Sequence, residues 1–118
     1  MDDSTIWTYE QDIGHQPGID LIGYKVEATD GHIGKIDKHS EDVAASYLVV
    51  DTGVWIFGKH VLLPAGTIRL IDTTEEKVYV NRTKEQIKNA PEFDEGKYTT
   101  AEPTYLEQFG HYYGQPHM

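Results

Sequence analysis

The residues from Ala45 to Pro64 constrain the fold more than any other part of the sequence. Two apolar runs, Tyr47-Leu48-Val49-Val50 and Val61-Leu62-Leu63, flank a short connection bounded by Gly53 and Gly58 that carries Trp55, Ile56 and Phe57. Each run is strand-length, rich in β-branched or aromatic residues, and bounded by turn formers. Runs without polar alternation belong to strands covered on both faces. In a small all-β chain this points to the interior of a barrel.

The flanking sequence supplies the other strands. Tyr24, Val26 and Ala28 alternate with Lys25 and Glu27, the period-2 pattern of a half-buried strand. Asp30-Gly31 then predicts a two-residue hairpin, because a type I′ turn needs positive φ at both central residues. In the return strand Ile33 and Ile36 are three apart, and the intervening Gly34 predicts a bulge that bends the strand. After Pro64-Ala65-Gly66, Ile68 and Leu70 alternate with Thr67 and Arg69. A polar loop over residues 72–76 leads to a last strand holding Val78 and Val80. The expected core is Val26, Ile33, Ile36, Leu48, Val50, Val61, Leu63, Ile68, Leu70, Val78 and Val80. The fold class is mainly β: a small six-stranded antiparallel β-barrel over residues 20–82. It is preceded by an acidic arm (1–19) and followed by an extension (83–118) with two short helices.

Thr83-Lys84-Glu85-Gln86 is a capping-box pattern, so a helix opens there and Pro91 ends it. Pro103 suits a first helical position. The following Tyr105, Leu106, Phe109, Tyr112 and Tyr113 share one face of a second helix, although Gly110 lowers helix propensity.

Charge is unevenly spread over the 118 residues. The net −10 divides into −5 over residues 1–20, −1 over 21–89 and −4 over 90–118. A balanced domain thus carries two acidic arms. Nucleic-acid binding needs clustered Lys and Arg, and the sequence contains no such run. Acidic arms would also repel anionic membranes. With no cysteine, thiolate chemistry and disulfides are excluded. The N-terminal residues lack the basic and apolar regions of a signal peptide, and no apolar run reaches the ~20 residues of a membrane span. The expectation is a soluble cytoplasmic protein without membrane insertion.

The motifs Asp20-Leu21-Ile22-Gly23-Tyr24-Lys25-Val26, Asp30-Gly31-His32-Ile33-Gly34-Lys35-Ile36, Tyr47-Leu48-Val49-Val50-Asp51-Thr52-Gly53 and Gly58-Lys59-His60-Val61-Leu62-Leu63-Pro64 together resemble the PRC-barrel family. That family is related to the cytoplasmic domain of the photosynthetic reaction-centre H subunit and to the barrel of the ribosome maturation factor RimM. The resemblance covers about residues 20–82, and the tails look like those of stand-alone bacterial members. It implies a protein-contact module rather than a reaction.

No catalytic, cofactor or metal residues are expected. Ser4, Ser40 and Ser46 lie outside any nucleophile motif. The carboxylates pair only as sequence neighbours, and the six histidines lack zinc-site spacing. The candidate contact residues are Trp55, Ile56 and Phe57 in the connection, and Tyr105, Leu106, Phe109, Tyr112 and Tyr113 in the tail. Rigid rings such as these dominate interfaces when exposed; the alternative for the connection is that two of its three residues cap the open end of the barrel, and the tail face packs either on its own barrel or on a second copy's. The reading is a non-enzymatic, self-associating interaction module, a homodimer or higher oligomer, with a further, unidentified protein partner. The alternatives are a small-ligand or metal-sensing barrel and, by family analogy alone, a ribosome- or RNA-associated factor.

Overall fold

A computed structural model describes residues 6, 7, 9, 13, 14, 19–41, 46–53, 60–91 and 103–114; for 40, 41 and 103–106 it describes the backbone course only. The strands are β1 (Lys25–Ala28), β2 (Gly31–Glu41), β3 (Ser46–Asp51), β4 (His60–Pro64), β5 (Ile68–Asp72) and β6 (Lys77–Val80), followed by helices α1 (Lys84–Lys88) and α2 (Pro103–Gly114). They form one six-stranded sheet in the order β4-β3-β2-β1-β6-β5.

The structure differs in two respects from the expected antiparallel barrel, closed or nearly closed. The β1–β2, β2–β3, β3–β4 and β5–β6 pairs are antiparallel, but β1 and β6 run parallel. Among the described residues no ladder joins β4 to β5, so the sheet is not closed. The cause is the connection between them. Ala65–Thr67 forms a single 3₁₀ turn, fixed by the buried Thr67 hydroxyl donating to the Pro64 carbonyl at 2.7 Å. This turn carries the chain onward instead of reversing it. β5 therefore keeps the sense of β4, and its hairpin partner β6 arrives parallel to β1.

The same turn forces the sheet to curl. Laid flat, the two edges of six strands would stand ~24 Å apart at ~4.8 Å per strand. The four residue steps from Pro64 to Ile68 span at most ~14 Å. The edges must therefore approach each other at this corner.

Curvature comes from three irregularities in the ladders. On β2, Ile33 is extra opposite β1 and Asp37 is extra opposite β3. Bulges of this kind explain why Ile33 and Ile36, three apart, both face inward. Gly34 sits at the tightest approach, where a β-carbon would lie 2.1 Å from the Asp51 carbonyl oxygen. The third extra residue, Arg69 on β5, overturns one expected core position. It shifts the inward phase so that Ile71 is buried, while Leu70 is 40% exposed. The other ten expected core residues are buried.

β3 and β4 are buried on both faces, as their unbroken apolar runs imply. Leu48 with Leu63 and Val50 with Val61 face the inside of the curl, and Val49 with Leu62 and Tyr47 with Pro64 face outward. The outer pairs are covered by α2, which lies on β4, and by Trp7, whose ring meets Tyr47 edge-on at 6.2 Å.

The bulge at Arg69 makes a sharp expectation. Ile71→Ala should lower unfolding free energy by about 2–5 kcal/mol, whereas Leu70→Ala should stay within about 0.5 kcal/mol of wild type. Urea titration of the two variants distinguishes this register from simple alternation.

Candidate interaction surface

The candidate contact residues fall into three groups. Trp55, Ile56 and Phe57 lie outside the described residues. Tyr105 and Leu106 lie on α2, but their side chains fall outside the description. Phe109 and Tyr113 are wholly buried, and Tyr112 is half-buried with its hydroxyl donating to the Gln86 carbonyl at 2.6 Å. The tail thus docks on its own sheet. Gly110, unfavourable by propensity, allows this seating: a β-carbon there would stand 2.7 Å from the Trp7 indole nitrogen.

Arg82 holds the end of the tail. Its guanidinium donates to the Tyr113 carbonyl at 2.5 Å, to the Asn81 carbonyl at 3.2 Å, and to the Asn81 side chain. It satisfies a carbonyl left open at the C-terminal end of α2 and places a positive charge at the negative pole of the helix. Burial lowers the Arg82 pKa, an effect opposed by Tyr113 and Tyr112. Burial also raises the Tyr113 pKa, with Tyr112 reinforcing the shift and Arg82 opposing it. Tyr112 shifts upward for the same first reason, against Arg82. The Tyr113 hydroxyl has no hydrogen-bond partner among the described residues. Close by, α1 opens with the anticipated capping box between Thr83 and Gln86, and Asp30 of the β1–β2 turn accepts from the Lys84 amide at 2.8 Å.

The outer face of β1, β2, β5 and β6 is different, because it stays open. The registers arrange it in two rows. One row runs Asp51, Lys35, Lys25, Lys77, Asp72 across β3, β2, β1, β6 and β5. The other runs His32, Glu27, Tyr79, Leu70 across β2, β1, β6 and β5. Both point away from Val26 and Val78, which are fully buried one residue away on β1 and β6. Lys25, Lys35 and Leu70 are exposed, and Lys77 and Tyr79 are half-exposed. Arg69 lies 5.5 Å over the Tyr79 ring, and His32 pairs with Glu27. Sequence reasoning missed this surface because the three lysines come from three separate strands. Only the strand order and register bring them side by side.

Two further histidines meet single carboxylates, His60 with Asp37 at 3.3 Å and His39 with Asp20 at 3.8 Å. Among the described residues no group of three His, Asp or Glu side chains could hold a metal ion. No helix among them is long and apolar enough to cross a membrane.

No family model and no curated protein matches the sequence. Among solved structures, the chain is similar to RimM of Pseudomonas aeruginosa, a candidate 16S ribosomal RNA processing protein, with a TM-score of 0.48 and 24% identity. The match covers 60% of this chain and 48% of that one, so the chain spans about half the length of RimM.

The docked tail makes a pH prediction. Folded Tyr113 and Tyr112 hold their protons above the unfolded tyrosine value of ~10, so their contribution to stability is complete below that pH and declines as pH rises through it. Denaturant unfolding at rising alkaline pH should show this decline, and Tyr113→Phe should flatten it. Near neutrality Tyr113→Phe, which removes a buried unpartnered hydroxyl, should leave stability unchanged or raise it by up to ~1 kcal/mol. Phe109→Ala should cost about 3–5 kcal/mol.

Proposed function

We propose that this protein is a non-enzymatic interaction module of the PRC-barrel type, a rigid curled sheet that presents one uncovered face to a protein partner. The four motifs that carry the family resemblance fall, in order, on β1 with its entry, on the β1–β2 turn with β2, on β3, and on β4. The observation that carries the functional reading is the unequal treatment of the outer surface. The outer side of β3 and β4 is sealed by α2 and Trp7, whereas the side over β1, β5 and β6 keeps Leu70 exposed beside Tyr79. A sheet face that retains apolar side chains beside uncovered charges suits a contact surface.

Self-association belongs to the same reading. Phe109 and Tyr113 fill a site that an identical α2 from a second copy would fill equally well, and exchange of identical elements is a low-cost route to a dimer. Light scattering over a concentration series should show a dimer, and a monomer at every concentration would remove this part of the proposal. The contact surface is tested by a photo-crosslinking amino acid introduced in native lysate at Leu70 or, as a control, at the exposed Glu107 on α2. Discrete adducts are expected from position 70 and not from position 107. Equal yields, or none, would contradict the interaction reading.

A further inference from the structure

We propose that the Lys35–Lys25–Lys77 row, with Tyr79 and Leu70 beside it, docks a short acidic segment of a partner protein that carries an apolar side chain among its carboxylates. This deepens the interaction reading above and rests on it.

The open face of the sheet contains an apparent conflict. Lys25 lies directly opposite Lys35 on one side and in register with Lys77 on the other. Like charges opposite each other on one sheet face are destabilising. The chain has twice as many acids as bases, yet it sets three of its ten cationic side chains in adjacent positions on one open surface. None of the three forms an ion pair among the described residues. A local arrangement that opposes stability without a compensating contact marks a place where function has shaped the sequence.

The carboxylates around the row decide what it fits. Asp51 and Asp72 close its two ends, and each is engaged in its own turn. Asp51 accepts from the Gly53 amide at 2.9 Å, and Asp72 from the Thr74 and Glu75 amides at 3.0 Å. Glu27, in the second row, is taken by His32. The cationic strip is therefore only three strands wide, ~10 Å at ~4.8 Å per strand. A nucleic-acid backbone continuing past it would meet Asp51 or Asp72, but three or four residues of extended peptide would just cover it.

Leu70 and Tyr79 add the second requirement. They sit two residues along β5 and β6 from Asp72 and Lys77, a step of ~7 Å on the same face. An aromatic or aliphatic side chain between two acids could reach them while the carboxylates meet the lysines. Arg69, already over Tyr79, adds a cation at that edge.

The test is fluorescence anisotropy with the full chain and a labelled peptide, Gly-Glu-Glu-Phe-Asp-Glu-Gly. A single-stranded oligonucleotide of equal charge and the same peptide with Gly in place of Phe serve as comparators. The Phe peptide should bind tightest, and its affinity should weaken as salt is raised. Lys25→Glu should weaken binding at least tenfold while raising the urea midpoint, because it replaces two like-charge neighbours with two opposite-charge ones. Leu70→Ser should weaken the Phe peptide several-fold and the Gly peptide little. Lys88→Glu, an equal charge change on α1, should alter neither. Equal losses for Lys25→Glu and Lys88→Glu, or tighter binding of the oligonucleotide, would overturn the proposal. Failure of every probe, with discrete crosslinks still formed from position 70, would overturn the acidic-segment chemistry and leave the interaction module standing. Failure of both would remove the module as well.

Discussion

The rest of the structure depends on three residues, Ala65–Thr67, that must join opposite edges of a six-stranded sheet. Because the join is short, a flat sheet is impossible. Because it does not reverse the chain, the last hairpin must enter beside β1 in parallel. The bulges at Ile33, Asp37 and Arg69 follow as the means of bending the ladders that far. The corner itself is held from both sides. The Asn81 amide donates to the Thr67 carbonyl at 2.8 Å, and a β-carbon on Gly66 would lie 2.7 Å from the Ile6 carbonyl oxygen.

A sheet curled but not closed keeps two edges, and unpaired edges invite pairing with other chains. Here the β5 edge is engaged, because Ile13 accepts from the Ile71 amide at 2.6 Å, while α2 packs over the outer face of β4. Ile6, Ile13, Phe109 and Tyr113 are buried with the strands. The terminal segments therefore act as structural parts of the domain. Without α2 and Trp7, the outward pairs Val49–Leu62 and Tyr47–Pro64 would face water, and the doubly apolar β3 and β4 would have no reason to be so.

What the sequence revealed, and what it concealed, divides along local and non-local lines. The strands and the Thr83–Gln86 cap were legible because each is set by neighbours within a few residues. The β1–β2 hairpin was placed one residue late: Ala28 pairs with Gly31, so Thr29 and Asp30 make the turn, and Asp30 lacks the positive φ that a type I′ turn centred on Asp30-Gly31 needs. The parallel β1–β6 pairing was not, because Pro64-Ala65-Gly66 reads as a break whether the chain reverses or continues. Leu70 was misplaced for a related reason: a bulge at an ordinary Arg leaves no mark in composition, whereas the one opposite β1 was signalled by Gly34. Gly110 was visible only as a weakness of the helix, since its partner Trp7 lies about a hundred residues away in sequence. The lysine row is the extreme case. Lys25 and Lys35 are ten residues apart on β1 and β2 and both more than forty from Lys77 on β6, and each sits beside an apolar residue as any exposed strand position would.

The chain's charge also explains how such a row can exist. Two unit charges ~5 Å apart in water repel by only ~0.8 kcal/mol. Lysine stems are long enough to splay, and the surrounding acid excess offsets part of what remains. The same excess shapes how an acidic partner would be received. At a distance the net −10 repels it, so electrostatic steering cannot speed the encounter. Within the ~8 Å Debye length of physiological salt, distant acidic residues are screened and the nearest lysines dominate. Recognition on this face would then be decided at contact, by the match of carboxylates to Lys35, Lys25 and Lys77 and of an apolar side chain to Leu70 and Tyr79. Such a surface discriminates by fit, because a generic polyanion meets the repulsion without gaining the apolar contact.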